Sequence, residues 1–137
     1  LAAELPPADL VLLDAPCLGT GTLRRRPDAK WRKTPAQLAE LAQLQRELLN
    51  AAAGCVRPGG HLVYSTCSLE SEENEGQVLG WLRDHANWQI APPERCDERC
   101  GGTVRPALVT ADGFLQTWPQ RHGCDGMFAA RLWKKFD

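Results

Sequence analysis

No stretch of this 137-residue chain is apolar for long enough to cross a bilayer, and the residues after Leu1 lack the charged, apolar and small-residue pattern of a secretory signal. A membrane-spanning helix is excluded for these residues. There is no internal repeat and no low-complexity tract. An excess of either charge is also missing, because 16 basic and 17 acidic side chains nearly cancel. The cancellation hides segregation. RRRPDAKWRK, residues 24–33, holds six basic residues and one acidic, whereas ESEENE, residues 70–75, holds four acidic and none basic. The first stretch could meet phosphate and the second could not.

Cysteine is not scarce, and six of them could suggest a disulfide framework. A chain of this length buries a core without staples, however. The cysteines at 17, 55, 67, 96, 100 and 124 are scattered through sequence that reads as an intracellular α/β domain. Reduced thiols and a cytoplasmic location are expected. The length suits one domain, 1–137. The chain opens on Leu rather than Met and enters a strand almost at once, so a fragment is expected.

DLVLLD, residues 9–14, is a nearly continuous apolar run, the pattern of a parallel strand buried on both faces. Pro16, Gly19 and Gly21 break it. Thr34, Pro35 and Gln37 then open a helix as cap, first-turn proline and capping-box partner. Leu38, Leu41, Leu44, Leu48 and Ala52 follow at helical spacing, an expected stripe against a sheet. Gly54 stops the helix, and Arg57-Pro58-Gly59-Gly60 reads as a turn. HLVYST, residues 61–66, reads as the next buried strand. Ser68 or Ser71 is expected to cap a second helix, with Val78, Leu79 and Leu82 as its inner face and Trp81 beside them. Strand, helix, strand, helix at these lengths predicts a right-handed parallel unit. Residues 91–112 read as a long loop. Residues 114–118 and 127–133 read as two final strands joined by a hairpin connection.

Two cysteines stand just past strand ends, Cys17 after Asp-Ala-Pro and Cys67 after Tyr-Ser-Thr. In open α/β sheets, ligands and reacting groups collect beyond the carboxyl ends of the strands. If these strands are neighbours, both thiols face one crevice, with Asp14 at its floor. A thiolate is a strong soft nucleophile, and one substrate that needs such a nucleophile is a pyrimidine base. Cytosine C5 is a poor nucleophile until something adds to C6. Addition there makes an enamine whose C5 attacks an electrophilic methyl. A neutral acid beside the ring nitrogen drives the addition, and a base must later remove the C5 proton. One cysteine, one carboxyl group and a second thiol fit this sequence of steps.

VLLDAPCLGTGTLRRRPDAKW, YSTCSLESEENE and FLQTWPQRHGCDGMFAARLWKK resemble the Sun/Fmu-type RNA cytosine-5 methyltransferases in three ordered blocks spanning nearly the whole chain. The bacterial ribosomal RNA enzymes of this type are the nearest likeness. The resemblance implies an α/β fold, the carboxyl-terminal half of a class I, Rossmann-like, S-adenosylmethionine-dependent methyltransferase, with parallel strands and a terminal antiparallel hairpin. It implies that Cys67 adds to C6, that Cys17 assists release of the methylated base, and that Asp14 contacts the methyl donor and the cytosine. DNA cytosine methyltransferases attack from the Pro-Cys position instead, so Thr-Cys favours the RNA type. Leu18 departs from the small polar residue usual after Pro-Cys. The family's Gly-rich donor-binding turn and its ribose-holding acidic residue do not occur in these 137 residues, so most of the S-adenosylmethionine pocket is expected elsewhere and the chain inactive alone. Gly19-Thr20-Gly21 is no substitute, since it follows the strand that carries Cys17.

In the basic run, Arg24, Arg25 and Lys30 are expected to grip RNA phosphates, with ribosomal RNA the partner that the resemblance implies and no membrane role. Trp31 is expected in the core. The acidic run is expected to serve the positive end of a helix dipole. Cys96 and Cys100 would need Cys124 and His122 to complete a zinc site, and no metal site is expected. Cys55, near a helix end, is expected to face the core. Loss of the upstream strands would expose the edge of LVLL and invite a homodimer. A non-catalytic RNA-binding or assembly module, or a redox or metal-binding thiol protein, remain the rival readings.

Overall fold

The computed structural model describes residues 6–91 and 105–136. Its elements in chain order are β1 (Ala8–Asp14), α1 (Pro35–Gly54), β2 (Val56–Thr66), α2 (Glu75–Arg83), β3 (Trp88–Ile90), β4 (Leu115–Thr117), α3 (Pro119–His122) and β5 (Met127–Lys134). β1 and β2 pair in parallel across α1. β5 inserts antiparallel between β2 and β3, giving the order β1-β2-β5-β3, and β4 pairs β5 as well. The expected terminal hairpin is therefore present, as Leu115↔Ala129 to Thr117↔Met127. β3, short and preceded by His85 and Asn87, was hidden in the sequence by its three-residue length.

α1 begins as its sequence dictates. Thr34 accepts the Gln37 backbone N–H and the Gln37 side chain accepts the Thr34 N–H, a reciprocal box that satisfies two orphan donors. Its buried face is turned from the leucine stripe, however. Gln45, Leu49 and Ala53 are buried, and Leu44 is exposed. A buried glutamine sits mid-face because its amide has partners inside the protein, as described below, and a count of apolar residues cannot register that. α2 starts later than expected, after Asn74, and no serine side chain caps it. Its inner face is Gln77, Val78 and Trp81, with Leu79 outside.

Both helices lie over one face of the sheet. Leu62, Tyr64, Phe128, Ala130 and Leu132 form the core there with Leu49, Val78, Trp81, Trp88 and Phe114, and Val11 and Leu13 pack against it. The other face carries Leu10, Leu12, Asp14, His61, Val63 and Ser65, none fully buried. The expectation that β1 is covered on both faces is corrected: Leu10 and Leu12 are 60% and 68% exposed. Among the described residues no helix covers that face, and no strand pairs the free edge of β1. The expected turn at Arg57–Gly60 bulges out of β2 instead of preceding it. Ala8 pairs Val56 and Leu10 pairs His61, so four residues of β2 oppose Asp9 alone, and Arg57 binds the Asp9 carboxylate at 2.7 Å.

Candidate active site

The parallel register Asp14↔Ser65 brings two strand ends level, and each chain leaves its strand into a loop holding one cysteine. Cys17 Sγ and Cys67 Sγ are 3.5 Å apart. At the paired strand ends the Ser65 hydroxyl donates to Asp14 Oδ1 at 2.9 Å. The two loops are stitched by backbone. Gly21 donates to the Cys67 carbonyl at 2.9 Å, and the Gly21 carbonyl accepts from Gly126 at 2.9 Å. Thr20 Oγ1 accepts from the Leu69 N–H at 2.8 Å. Gly19 takes φ 70°, a left-handed conformation that glycine adopts without steric cost. A Cβ at Gly19 would lie 3.9 Å from both Cys67 Sγ and Lys33 Nζ, so a thiol and an ammonium border the open space above this glycine.

Burial pushes the Cys17 thiol up to about 12, helped by its hydrogen bond with Cys67 and the charge of that neighbour. Cys17 is thus a neutral thiol at physiological pH, hydrogen-bonded to Cys67 beside it. All four cysteines of the described residues, Cys17, Cys55, Cys67 and Cys124, are free thiols.

Polar residues behind the loops were missed by sequence reasoning. Glu73 and Asn74, read as part of a helix-terminal acidic run, are fully buried. The Glu73 carboxylate accepts the Leu18 N–H at 2.9 and 3.2 Å and the Gln45 amide at 2.9 Å. The only available signal was the position of ESEENE, directly after a cysteine loop instead of at an exposed helix start.

The basic run divides. Arg24 and Arg25 both bind Asp125, Arg24 at 2.7 Å, which places them at the β5 side of the loop. Burial opposes ionisation of Asp125, and the two guanidinium groups outweigh it, holding its carboxyl below the usual range. Lys30 lies 4.5 Å over the Trp31 ring. Trp31 is 81% exposed, which corrects its expected place in the core. It sits in a 3₁₀ segment, Pro27–Arg32, that stands away from the sheet. Arg26, Arg32 and Lys33, with Cys17 and Leu18, line a cleft of about 660 Å³ against α1. Lys33 Nζ also donates to the Leu18 carbonyl. Cys96 and Cys100 lie outside the described residues. Among those described, no cluster of three or more potential ligands could hold a metal ion, and no helix is long and apolar enough to cross a membrane.

Residues 4–133 match the profile of the family described as 16S rRNA methyltransferase RsmB/F. The chain belongs to this family. The Sun/Fmu-type resemblance of its three sequence blocks is borne out. At 48% identity over 132 residues it is similar to a Synechocystis sp. protein named probable ribosomal RNA small subunit methyltransferase B, covering 94% of this chain and 28% of that one. At 43% identity over 129 residues it is similar to ribosomal RNA small subunit methyltransferase F of Escherichia coli, covering 92% and 26%. The crystal structure of NSun6 from Pyrococcus horikoshii with SFG superposes at a TM-score of 0.77 and 32% identity, over 99% of this chain and 33% of that one. The chain therefore spans 26–28% of the length of those two curated relatives. Its sheet is the α/β arrangement expected of a Rossmann-like methyltransferase in the RsmB/F family, with β1, β2 and β3 running one way and β5 against them.

Proposed function

We propose that this chain carries the reacting thiols of a ribosomal RNA cytosine-C5 methyltransferase. The observation that supports the reading best is the pair of sulfurs 3.5 Å apart past the ends of adjacent parallel strands, one of which ends at Asp14. The names of its relatives supply the substrate class, ribosomal RNA of the small subunit.

The chemistry follows from the groups present. The target base leaves its stack to reach the pocket. The Cys67 thiolate forms a bond to C6, and the ring electrons move toward N3, which takes a proton from Asp14 in its acid form. C5, now nucleophilic, acquires a methyl group. S-adenosylmethionine is the methyl source when bound, and it supplies an electrophilic carbon with a neutral leaving group. The fit to that donor within these residues is limited to Asp14. Its carboxylate stands exposed at the end of β1, held through one oxygen by Ser65, with the other oxygen unbonded among the described residues.

Release needs a base at C5. At rest Cys17 is too weak an acid to be one, partly because of Cys67. Once Cys67 Sγ is bonded to C6, its side-chain hydrogen bond and charge no longer act on Cys17; burial, the largest cause of its raised value, remains, so Cys17 acts as the base only after passing its proton to solvent admitted with the RNA. Cys17 then takes the C5 proton, the C5–C6 double bond re-forms, the C6–S bond breaks to return Cys67 as its thiolate, and the N3 proton goes back to Asp14. The RNA strand is led in by the cleft, where Arg26 forms no ion pair among the described residues, whereas Asp125 occupies Arg24 and Arg25, Asp28 lies 3.6 Å from Arg32 and Lys33 donates to the Leu18 carbonyl.

RNA containing 5-azacytosine tests the reading, since its C5 position is nitrogen and carries no proton to remove. Peptide mass spectrometry is expected to find the adduct on Cys67. An adduct on Cys17 alone, or none when these residues stand within a protein of their relatives' full length, refutes the assignment.

A further inference from the structure

The loop carrying Cys17 is fixed on both sides of the thiol, and so is the loop carrying Cys67. Before Cys17, the Pro16 carbonyl accepts from the Gln45 amide at 2.8 Å; after it, the Leu18 N–H donates to Glu73. Gln45 is itself bonded to Glu73, so one buried carboxylate anchors both contacts. Before Cys67, the Thr66 hydroxyl donates to Asn74 Oδ1 at 2.6 Å; after it, the Ser68 carbonyl accepts from Asn74 Nδ2 at 2.8 Å. Two consecutive residues thus hold two different thiol loops.

A carboxylate out of water is costly unless well bonded. Among the described residues no lysine or arginine forms an ion pair with Glu73. Its partners are an amide and one backbone N–H beside Cys17. Tyr64 adds a hydroxyl bond to the Glu73 carbonyl at 2.6 Å, which fixes the backbone from which both side chains project. An apolar residue would fill this space without a desolvation cost, but it would leave the Leu18 N–H without an acceptor.

We propose that Glu73 and Asn74 are paired positioning residues, Glu73 setting Cys17 for release of the methylated base and Asn74 setting Cys67 for attack on C6. The assignment of the two steps rests on the cytosine chemistry above; the pairing of each residue with one thiol does not. Neighbours in sequence then have opposite kinetic signatures. Loss of the Glu73 carboxylate leaves attack and methyl transfer intact and stalls elimination. Loss of the Asn74 amide stalls attack.

The test uses these residues within a protein of their relatives' full length, with cytosine RNA and S-adenosylmethionine in single turnover. Glu73→Ala is expected to accumulate a Cys67–RNA adduct, with release slowed about a hundredfold if the thiol shifts by about 1 Å. Asn74→Ala is expected to slow adduct formation by about the same factor. Glu73→Gln keeps an acceptor for Leu18, so it is expected to restore release, and it serves as the folded variant should Glu73→Ala fail to fold. Asn74→Asp keeps the acceptor for Thr66 and serves likewise. Without RNA, iodoacetamide labelling resolved by peptide is expected to change at Cys17 only in the first variant and at Cys67 only in the second. Equal slowing of formation and release in both variants, or labelling that changes at both thiols together, overturns the pairing. If the unsubstituted chain forms no Cys67 adduct, the cytosine assignment fails, and the labelling pattern still decides whether each residue positions its own thiol.

Discussion

Gly21 is the point where three segments meet, and an added methyl group there has nowhere to go. A Cβ would lie 2.0 Å from the Gly126 carbonyl oxygen and 2.8 Å from the Cys67 carbonyl oxygen. Both obstacles are backbone, so no side-chain rotation relieves them. Gly21→Ala must push the Cys17 loop away from Cys67 and from the start of β5. That breaks the bonds from the Gly21 N–H to Cys67 and from the Gly126 N–H to Gly21. Each lost bond costs about 1 kcal/mol, and overpacking costs about 1–3 kcal/mol. Together the substitution is expected to remove about 3–5 kcal/mol, a large share of the roughly 5–15 kcal/mol that holds an ordinary domain. Urea unfolding followed by tryptophan fluorescence reads this directly. With a slope of about 1–3 kcal/mol/M, the midpoint is expected to fall by about 2 M. The same displacement separates the two sulfurs, so adduct formation on Cys67 is expected to fall with it. A midpoint within about 0.3 M of the unsubstituted chain, at equal slope, refutes the close-approach argument.

Other perturbations probe the site from different sides. The folded chain keeps the Cys17 proton from the ordinary thiol value of 9.0 up to about 12, so this group's contribution to stability is full below 9.0 and is lost as pH rises toward 12; Cys17→Ser is expected to flatten the stability profile across that window, and an unchanged slope argues against the assignment. Asp125 titrates below the usual carboxylate range because Arg24 and Arg25 outweigh the burial that opposes ionisation. The stability it contributes is present above that range and lost as pH falls through its lowered value. Asp125→Asn is expected to blunt this acid sensitivity and to release two guanidinium groups, steepening the salt dependence of RNA binding by about 0.7 per new phosphate contact; a measured slope equal to the parent's rejects the release. Trp31→Ala is expected to change stability by less than about 0.5 kcal/mol, since the ring is solvated, and to weaken RNA binding by about 1–3 kcal/mol if a base stacks on it. A calorimetric loss well beyond that stability limit returns Trp31 to the core.

The parts of this molecule legible in its sequence are those governed by local rules. The Thr34–Gln37 box, the two strand ends bearing Cys17 and Cys67, and the pairing of residues 115–117 with 127–129 all follow from spacing and turn chemistry. The rest depends on partners distant in the chain. Gln45 looks like a surface residue until Pro16 and Glu73, 29 and 28 positions away, satisfy its amide. Glu73 looks like a solvated charge until the Leu18 N–H meets it. Arg24 and Arg25 look free for phosphate until Asp125, about a hundred positions on, takes both. Leu10 and Leu12 mislead in the opposite sense, because an apolar run records that a strand suits burial and not what covers it.

β5 lies between β2 and β3 and also pairs β4, whose one other partner among the described residues is a single bridge from Leu115 to Val109. It is also the last strand in sequence order. During synthesis β3 therefore waits without a strand partner, and β4 with only its bridge to Val109, until Met127–Lys134 is made, while β1, α1 and β2 already form a local parallel unit. The final strand works as a keystone: assembly of this sheet is non-local and comes late. A chain halted before Met127 keeps both cysteines yet leaves one edge of β2 open, and its exposed strand edge marks it for aggregation or removal before the sheet can close.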